Sequence, residues 1–382
     1  MKTKELFIII YNIVVILSVM YATQPLQPLL AKEFEVSIVK SSQFTAVIML
    51  FLAIAPIIYG YILERVNAKR VLIIASVILA ITNTFLSFST SYEMFLTIRT
   101  IEAIVIPAIL TSSMSILANI DKVNVKLNMS IYVASTVFGG LVGRVFSGYI
   151  ATYFGWQMVF LSLSFASLVG LFLITKLNYD VQAHLTKATI KDITHILKDK
   201  RFVVIYLLMF SIFFVFAGVL NILPFRLKEL DSSTNESQIG LLYLGYGVGI
   251  VVSLFIHKII KFFDKEMKTI LFGIVIFLIS TALYIVQNPF ILFLNVFLFC
   301  LGMFIVHTVS TRIANSLKES QKSLTSGMYL SFYYIGGTVG SILPPMFYQV
   351  FGWNKTIYLC IFLLIVIFIF VYSNRKIFKA YN

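Results

Sequence analysis

The sequence predicts an all-α membrane protein with twelve transmembrane helices in two pseudo-symmetric six-helix bundles. Long apolar stretches recur along the 382 residues, of which 59% are hydrophobic and only 12% are charged. A soluble domain of this size would need more charge on its surface, whereas a multi-pass membrane protein has lipid as its outer solvent. A repeat of about 30 residues then divides the apolar pattern into two halves.

The repeat relates residues 132–161 to residues 329–358 through a constant offset of 197 residues. It places Gly139 opposite Gly336 and Gly143 opposite Gly340, and it aligns two Phe-Gly-Trp triplets. Because the period is about half of the chain, the repeat indicates a duplicated bundle and not a solenoid. Duplicated helix bundles in membranes are typical of transporters, whose halves rock about a central site.

Each membrane span requires roughly 20 apolar residues. The predicted spans of the first half are 6–29, 43–62, 71–90, 94–118, 129–151 and 157–175. Those of the second half are 202–225, 239–257, 269–286, 290–314, 324–349 and 356–373. The polar, basic connection 176–201 has apolar residues at helical spacing, which predicts a short amphipathic helix on the inner membrane surface. We therefore expect an N-terminal bundle at 1–175, a cytoplasmic linker at 176–201 and a C-terminal bundle at 202–382.

The net charge of +14 would suit a nucleic-acid-binding protein, but the positions of the basic residues argue against that function. Most of them fall in the termini and in the connections that lie on one side of the membrane, including 176–201. The positive-inside rule then places both termini in the cytoplasm, as expected for an even number of spans in the cytoplasmic (inner) membrane. Cys300 and Cys360 lie within apolar spans, where we expect them to pack as small hydrophobic residues. No metal and no cofactor are expected.

Four ionisable residues lie well inside the predicted spans, away from the span ends: Arg99, Glu102, Arg144 and His307. A charge at this depth is costly unless it is paired or faces water, so each of them is a candidate for function. Glu102 is either one half of a structural ion pair or a proton carrier that an arginine holds in its ionised form. His307 is either a hydrogen-bonded packing residue or a titrating contact for solute or proton.

Several short motifs accompany these charges. The loop after the second span reads Gly60-Tyr-Ile-Leu-Glu64-Arg65-Val-Asn67-Ala-Lys69-Arg70, and the fourth span contains Arg99-Thr-Ile-Glu102-Ala. The fifth span has Ser135-x-x-x-Gly139-Gly140-x-x-Gly143-Arg144, and the eleventh has Tyr333-Tyr334-Ile-Gly336-Gly337. Through these motifs the whole chain resembles the major facilitator superfamily, and within it the bacterial sugar- and drug-efflux permeases (YnfM-like).

The resemblance implies roles for three groups of residues. In the superfamily the loop after the second helix is a charge latch, which here corresponds to Gly60, Glu64, Arg65, Lys69 and Arg70. Asn67 stands where the signature has glycine, and asparagine tolerates a left-handed backbone better than most residues. The packing glycines of helices 5 and 11 correspond to Gly139, Gly140, Gly143, Gly336, Gly337 and Gly340. The helices that line the superfamily's central cavity correspond here to spans 1, 4, 7 and 10. Together with spans 8 and 11, they contain the polar and aromatic residues that the resemblance implies for the solute cavity: Asn12, Tyr21, Gln24, Asn221, Tyr243, Tyr246, Asn295, His307, Tyr333 and Tyr334.

The function implied is secondary active transport of a small organic solute, as proton-coupled efflux by an antiporter. An uptake symporter or facilitator for a sugar or amino acid, and a membrane sensor on the same fold, remain the alternatives. Neither a nucleotide-binding P-loop pattern nor a cluster of catalytic residue types occurs in the sequence, which argues against an enzyme. We expect a monomer whose partners are the solute, protons and lipid.

Overall fold

The computed structural model describes residues 2–120, 124–178, 190–318 and 322–378. Within these ranges, the side chains of residues 2, 56–57, 60–65, 126, 190–191 and 322–323 are not part of the description. All regular structure in the described part of the chain is helical. The fold class expected from the sequence is therefore confirmed.

Seven helices precede the linker. They are α1 Lys2–Tyr21, α2 Gln27–Glu33, α3 Ile38–Arg65, α4 Ala68–Ser87, α5 Tyr92–Ile120, α6 Val125–Phe154 and α7 Trp156–Thr175. The linker contains the short helix α8, Ile190–Lys198. The remaining helices are α9 Lys200–Leu230, α10 Glu236–Leu242, α11 Val248–Phe263, α12 Glu266–Leu283, α13 Pro289–Ser316, α14 Lys322–Gly340, α15 Leu343–Phe351 and α16 Trp353–Asn374.

By length and composition, 11 helical segments among the described residues could cross a membrane. The eleventh predicted span, 324–349, is not continuous, because a turn at Ser341 and Ile342 separates α14 from α15. Pro344 and Pro345 occupy the first positions of α15. Since proline cannot donate the backbone hydrogen bond that continues a helix, these residues account for the interruption.

The first predicted span, 6–29, also differs from the structure. Its helix α1 ends at Tyr21, and the chain turns before the short α2 begins at Gln27. Pro25 and Pro28 lie in or next to this turn. The apolar stretch therefore continues beyond the helix, and hydropathy alone does not mark where the helix stops.

The chain divides into two compact units, Met1–Lys187 with Thr234–Tyr243, and Ala188–Ser233 with Leu244–Asn382. Each unit repeats the same helix pairs. In the first unit, α1 packs on α6 and α4 packs on α5 and α7; in the second, α9 packs on α14 and α12 packs on α13 and α16. The duplication seen in the sequence is thus a duplication of packing.

Glycines allow the closest of these contacts. A Cβ atom at Gly139 would collide with the backbone of Val14, and one at Gly143 would collide with the backbone of Ser18. In the second unit, Gly336 and Gly340 meet the backbones of Phe210 and Phe214 of α9 in the same way. Small residues one turn apart therefore let the first and fifth spans of each half approach backbone to backbone, as in other membrane helix pairs.

Candidate functional site

A buried ion pair on α5 is the main electrostatic feature of the first unit. Nη1 of Arg99 lies 2.7 Å from Oε2 of Glu102, one helical turn further along, and neither side chain is exposed. Thr82 of α4 donates a hydrogen bond to Oε1 of Glu102 at 3.3 Å. The guanidinium of Arg99 also donates to the carbonyl oxygens of Val19 and Met20, at 3.1 and 3.0 Å. The pair therefore joins α5 to α1 and α4.

The end of α1 explains why the arginine lies there. Val19 and Met20 belong to the last turn of α1, whose carbonyl groups have no helical donor and carry the negative end of the helix dipole. A guanidinium has five N–H donors and can bond to these carbonyls while it neutralises Glu102. An isolated buried charge would be very costly, so the cluster is stable only as a set.

Arg144 lies at the same end of α1 but has other neighbours. Its Nε donates to Oε1 of Gln24 at 2.6 Å, and its Nη1 donates to the carbonyl oxygen of Gly140 at 2.8 Å. Its guanidinium carbon lies 3.8 Å from the ring centre of Tyr21 and 5.1 Å from that of Tyr243. Cation–π contacts of this kind stabilise a guanidinium removed from water. Three residues predicted for the solute cavity, Tyr21, Gln24 and Tyr243, thus surround Arg144.

His307 belongs to an aromatic cluster in the second unit. Its Nδ1 lies 3.0 Å from the hydroxyl oxygen of Tyr329, which also donates to the carbonyl oxygen of His307 at 3.2 Å. The ring centre of Tyr333 is 4.9 Å from that of His307 and is stacked on Phe213 at 3.7 Å. Tyr334 packs edge-on against Tyr333. Tyr329, which the sequence analysis did not select, is the hydrogen-bond partner of His307.

The other predicted cavity residues are buried within their own unit. Asn12 donates to the carbonyl oxygens of Ile8 and Gly170 and, with Ser76 and Ser167, lines a small cavity of the first unit. In the second unit, Asn221 is buried on α9. Tyr246 is buried against the rings of Phe216 and Phe304. Asn295 is also buried, and it donates a hydrogen bond to the carbonyl oxygen of Ser280.

The comparison with known proteins agrees with this architecture. A sequence profile of the Major Facilitator Superfamily matches residues 9–311 and 229–379. The chain belongs to the major facilitator superfamily.

Two relatives and one solved structure illustrate the membership. The chain is 24% identical to the uncharacterized transporter YybF of Bacillus subtilis, over 91% of this chain and 88% of the relative. It is 21% identical to the inner membrane transport protein YnfM of Escherichia coli, over 88% and 82%. A bacterial homologue of the human lysosomal transporter Spinster, solved in an inward-facing unoccupied conformation, superposes with a TM-score of 0.86 at 12% identity, covering 99% of this chain and 98% of that one. This protein is accordingly a multi-pass membrane transporter of that superfamily.

The loop predicted to act as a latch is described only in part. The side chains of Gly60, Glu64 and Arg65 lie outside the described residues. Lys69 donates to the carbonyl oxygen of Leu177 at 2.6 Å, at the end of the last helix of the same half, and Arg70 is exposed.

Asn67 does not adopt the left-handed backbone that asparagine tolerates. Asn67 is the N-cap of α4 with φ −59° and ψ 136°, which is an ordinary conformation for any residue. The replacement of the signature glycine by asparagine at this position therefore needs no special backbone conformation.

A charged cluster lies near the loop between α11 and α12, which corresponds in the second half to the loop after the second span of the first half. Arg312 of α13 lies 2.7 Å from Oε1 of Glu266, and its Nη1 lies 2.9 Å from Nδ1 of His257. Glu266 begins α12, Arg312 lies near the end of α13, and His257 lies within α11. These residues do not follow the motif's spacing, so motif matching misses them. The one feature of the sequence that could have indicated this cluster is Arg312, a charged residue near the end of the predicted span 290–314.

Proposed function

We propose that this protein exports a small organic solute across the cytoplasmic membrane in exchange for protons, by alternating access. The observation that carries the proposal is the buried pair of Arg99 and Glu102, whose partners come from two further helices. Acidic residues inside membrane spans commonly take part in proton relays, because their burial would otherwise be a pure cost. Glu102 is the proton carrier in this proposal, and Arg99 is its counter-charge.

Protonation would change the contacts of this cluster in a defined way. Ionised Glu102 attracts Arg99 and accepts the hydrogen bond from Thr82, so that α1, α4 and α5 are joined through one carboxylate. Neutral Glu102 loses the charge attraction and leaves Arg99 with the carbonyl groups of α1. A proton can shift a conformational equilibrium only if it binds one state better than the other. The state in which Arg99 and Glu102 are paired disfavours the proton, so proton binding favours the state in which they are separated.

The aromatic cluster of the second unit supports the proposal that the solute is an amphipathic organic molecule. Tyr333, stacked on Phe213, and the imidazole of His307 offer flat apolar surfaces with few polar atoms. Binding sites for organic molecules are mostly apolar and contain a small number of placed polar groups. His307 supplies such a polar group, held in place by Tyr329.

The proposal also includes the membrane topology, the two helix bundles and the latch loop. Both termini and the linker 176–201 are cytoplasmic in this proposal, with bundles at 1–175 and 202–382, and the basic loops on one side support this orientation. The relative YnfM is described as an inner membrane protein, which supports the inner membrane as the location. The chain carries both bundles and works as a monomer, and its latch loop comprises Gly60, Glu64, Arg65, Lys69 and Arg70.

The test compares Glu102→Gln with Glu93→Gln in vesicles containing purified protein. Glu93 lies exposed in the first turn of the same helix and provides a matched control. The solutes are those to which a deletion strain becomes sensitive in a growth screen of drugs, sugars and amino acids. An internal pH dye should report solute-driven proton movement for the parent and for Glu93→Gln, and a loss of about tenfold or more for Glu102→Gln. Full coupling in Glu102→Gln would contradict the proton role, and solute movement in the same direction as protons would indicate the symporter.

A further inference from the structure

The small cavity of the first unit lies between α1, α4, α5 and α7. The polar residues of its wall are Asn12, Ser76 and Ser167, and the apolar ones include Ile16, Leu79 and Ile109. None of the lining residues carries a charge, which suits a neutral ligand. The centre of a water molecule can occupy about 10 Å³ of this cavity. A buried water needs roughly 10–15 Å³ measured in this way, so the size fits one water molecule and no larger ligand.

Two polar groups of the cavity wall have no hydrogen-bond partner among the described residues. The amide nitrogen of Asn12 donates to the carbonyl oxygens of Ile8 and Gly170, at 2.8 and 3.4 Å, but its Oδ1 accepts no hydrogen bond there. The hydroxyl of Ser76 likewise makes none within the described part of the chain. Asn12 and Ser76 are only 5% and 3% exposed. A polar group at such a position is strongly destabilising unless something inside the protein bonds to it.

Ser167 of α7 adds a third polar group to the same wall. Its hydroxyl donates to the carbonyl oxygen of Leu163 at 2.8 Å, and its oxygen can still accept a hydrogen bond. The three groups then match the bonding capacity of water. A water molecule can accept from the hydroxyl of Ser76 and donate its two protons to Oδ1 of Asn12 and to the oxygen of Ser167. About three hydrogen bonds are the usual number for a buried water.

Two matching positions of the second half are apolar. Counted from the repeated glycine contacts of α6 with α1 and of α14 with α9, Asn12 corresponds to Leu208 of α9. Counted from the two Phe-Gly-Trp triplets, Ser167 corresponds to Leu364 of α16. Both leucines are completely buried. The fold therefore packs well with apolar side chains at these places, so its architecture does not require the polar residues that the first half has there.

We infer that this cavity binds one ordered water molecule, which joins α1, α4 and α7 through Asn12, Ser76 and Ser167. Ser76 precedes Thr82 by six residues on α4, so the water lies about 9 Å along the helix from the hydrogen bond between Thr82 and Glu102. The ion-pair cluster and the water thus link α1 and α4 at two separate levels. The inference goes beyond the proposed function, because it holds whether or not Glu102 carries protons.

Hydroxyl-radical footprinting with X-rays tests for the water without any solute. Radiolysis of a bound water oxidises the side chains beside it, even where bulk solvent does not reach. Leu79 lines the cavity and is 2% exposed, and mass spectrometry of the purified protein should find it oxidised. Leu208 and Leu364 are matched controls, because they are equally buried leucines, and they should stay unmodified. Oxidation of Leu79 should be lost when Asn12→Leu and Ser76→Ala are combined. Oxidation of Leu79 at the level of the controls, or unchanged in the double variant, would overturn the inference.

A double-mutant cycle tests whether the water joins α1 to α4. Asn12→Leu and Ser76→Ala should each raise the unfolding equilibrium constant in detergent about tenfold, since each leaves the water with one partner fewer. The double variant should be about tenfold more stable than the product of the two effects predicts, because neither polar group then remains unpaired. The bonds of Asn12 to Ile8 and Gly170 are lost in both arms of the cycle and cancel.

The control for this cycle pairs Asn12→Leu with Ser87→Ala. Ser87 lies on the same helix α4, three turns from Ser76, and donates to the carbonyl oxygen of Thr84. Its effect should simply add to that of Asn12→Leu, because the two residues share no partner. Asn12 and Ser76 make no direct hydrogen bond, so their coupling reports the bridging water. Additive effects for Asn12 and Ser76 would overturn the role of the water as a joint.

Discussion

The guanidinium of Arg99 lies 2.7 Å from the carboxylate of Glu102, and both side chains are completely buried. The same guanidinium bonds to carbonyl groups in the last turn of α1, so a single ion pair holds the end of one helix against the middle of another. Because neither side chain is exposed, the effect of the pair on stability depends strongly on whether one or both partners are replaced.

Replacing one member of the pair should destabilise the protein far more than replacing both. Glu102→Leu leaves Arg99 buried without its counter-charge and should cost about 3–5 kcal/mol of unfolding free energy. The double variant Arg99→Met with Glu102→Leu should recover most of that loss, since no charge then remains to be neutralised. Unfolding in detergent with increasing denaturant measures both values. A double variant as unstable as Glu102→Leu would show that the pair does not act as a unit.

Alanine at the packing glycines should be destabilising in both halves. Gly143→Ala and Gly340→Ala each place a Cβ atom into the backbone of the first span of the same half, and overpacking of this kind costs roughly 1–3 kcal/mol. Thr136→Ala on α6, whose hydroxyl is exposed, should have almost no effect and serves as the control. The measurement is the thermal midpoint in detergent. Tolerance of alanine at both glycines would contradict the close approach of the helices.

Asp199 should contribute to stability in a pH-dependent way. It is the N-cap of α9, and its hydrogen bonds from the Arg201 guanidinium and backbone hold the pKa of its carboxyl below the ordinary value of 3.8. A lowered pKa means that the stabilisation is complete above the unfolded-state pKa and is lost as the pH falls through the folded-state pKa. Asp199→Ala should therefore cost roughly 0.5–2 kcal/mol at pH 7 and less near pH 3. Asp199→Asn keeps a capping oxygen without a charge. The difference in unfolding free energy between Asp199→Asn and Asp199→Ala should therefore not depend on pH between pH 3 and pH 7.

The hydroxyl of Tyr329 should contribute more to the free energy of unfolding than the hydroxyl of an exposed tyrosine. Tyr329→Phe removes the partner of His307 Nδ1 from a buried position and should lower the unfolding free energy by roughly 1–3 kcal/mol. Tyr358→Phe on the exposed side of α16 should change it by less than about 0.5 kcal/mol. Chemical unfolding of the two variants in parallel checks the difference. Equal values would indicate that His307 is not held by Tyr329.

Most of the spans, the duplication and the buried charge could be predicted from residue order. Lipid offers no hydrogen bonds to the backbone, so an apolar stretch of sufficient length inside a membrane must form a helix. Similarly, the glycines at 139, 143, 336 and 340 recur with one period, and the close helix contacts found at all four follow from the absence of side chains. Arg99 and Glu102 are one turn apart on a helix, so their pairing is a local property as well.

The ends and partners of these helices could not be predicted in the same way. The sequence contains Pro344 and Pro345, but hydropathy continues through them, and the break before α15 appears only when helix geometry is considered. The contacts of Lys69 with the end of α7 and of Arg312 with Glu266 and His257 join residues far apart in the chain. Such contacts depend on how each helix is rotated toward its neighbours, and apolar periodicity in lipid carries little information about rotation.

From the sequence alone, the class of protein and the buried charges Arg99, Glu102 and Arg144 could be deduced, since each depends on the cost of polar groups in hydrocarbon. Only the tertiary structure placed Arg99 on the carbonyls of α1, enclosed Arg144 between Tyr21 and Tyr243, and assigned residues Thr234–Tyr243 to the first unit. The reason is physical: burial requires that a charge find a partner, but many partners satisfy that requirement, and the packing of whole helices selects among them.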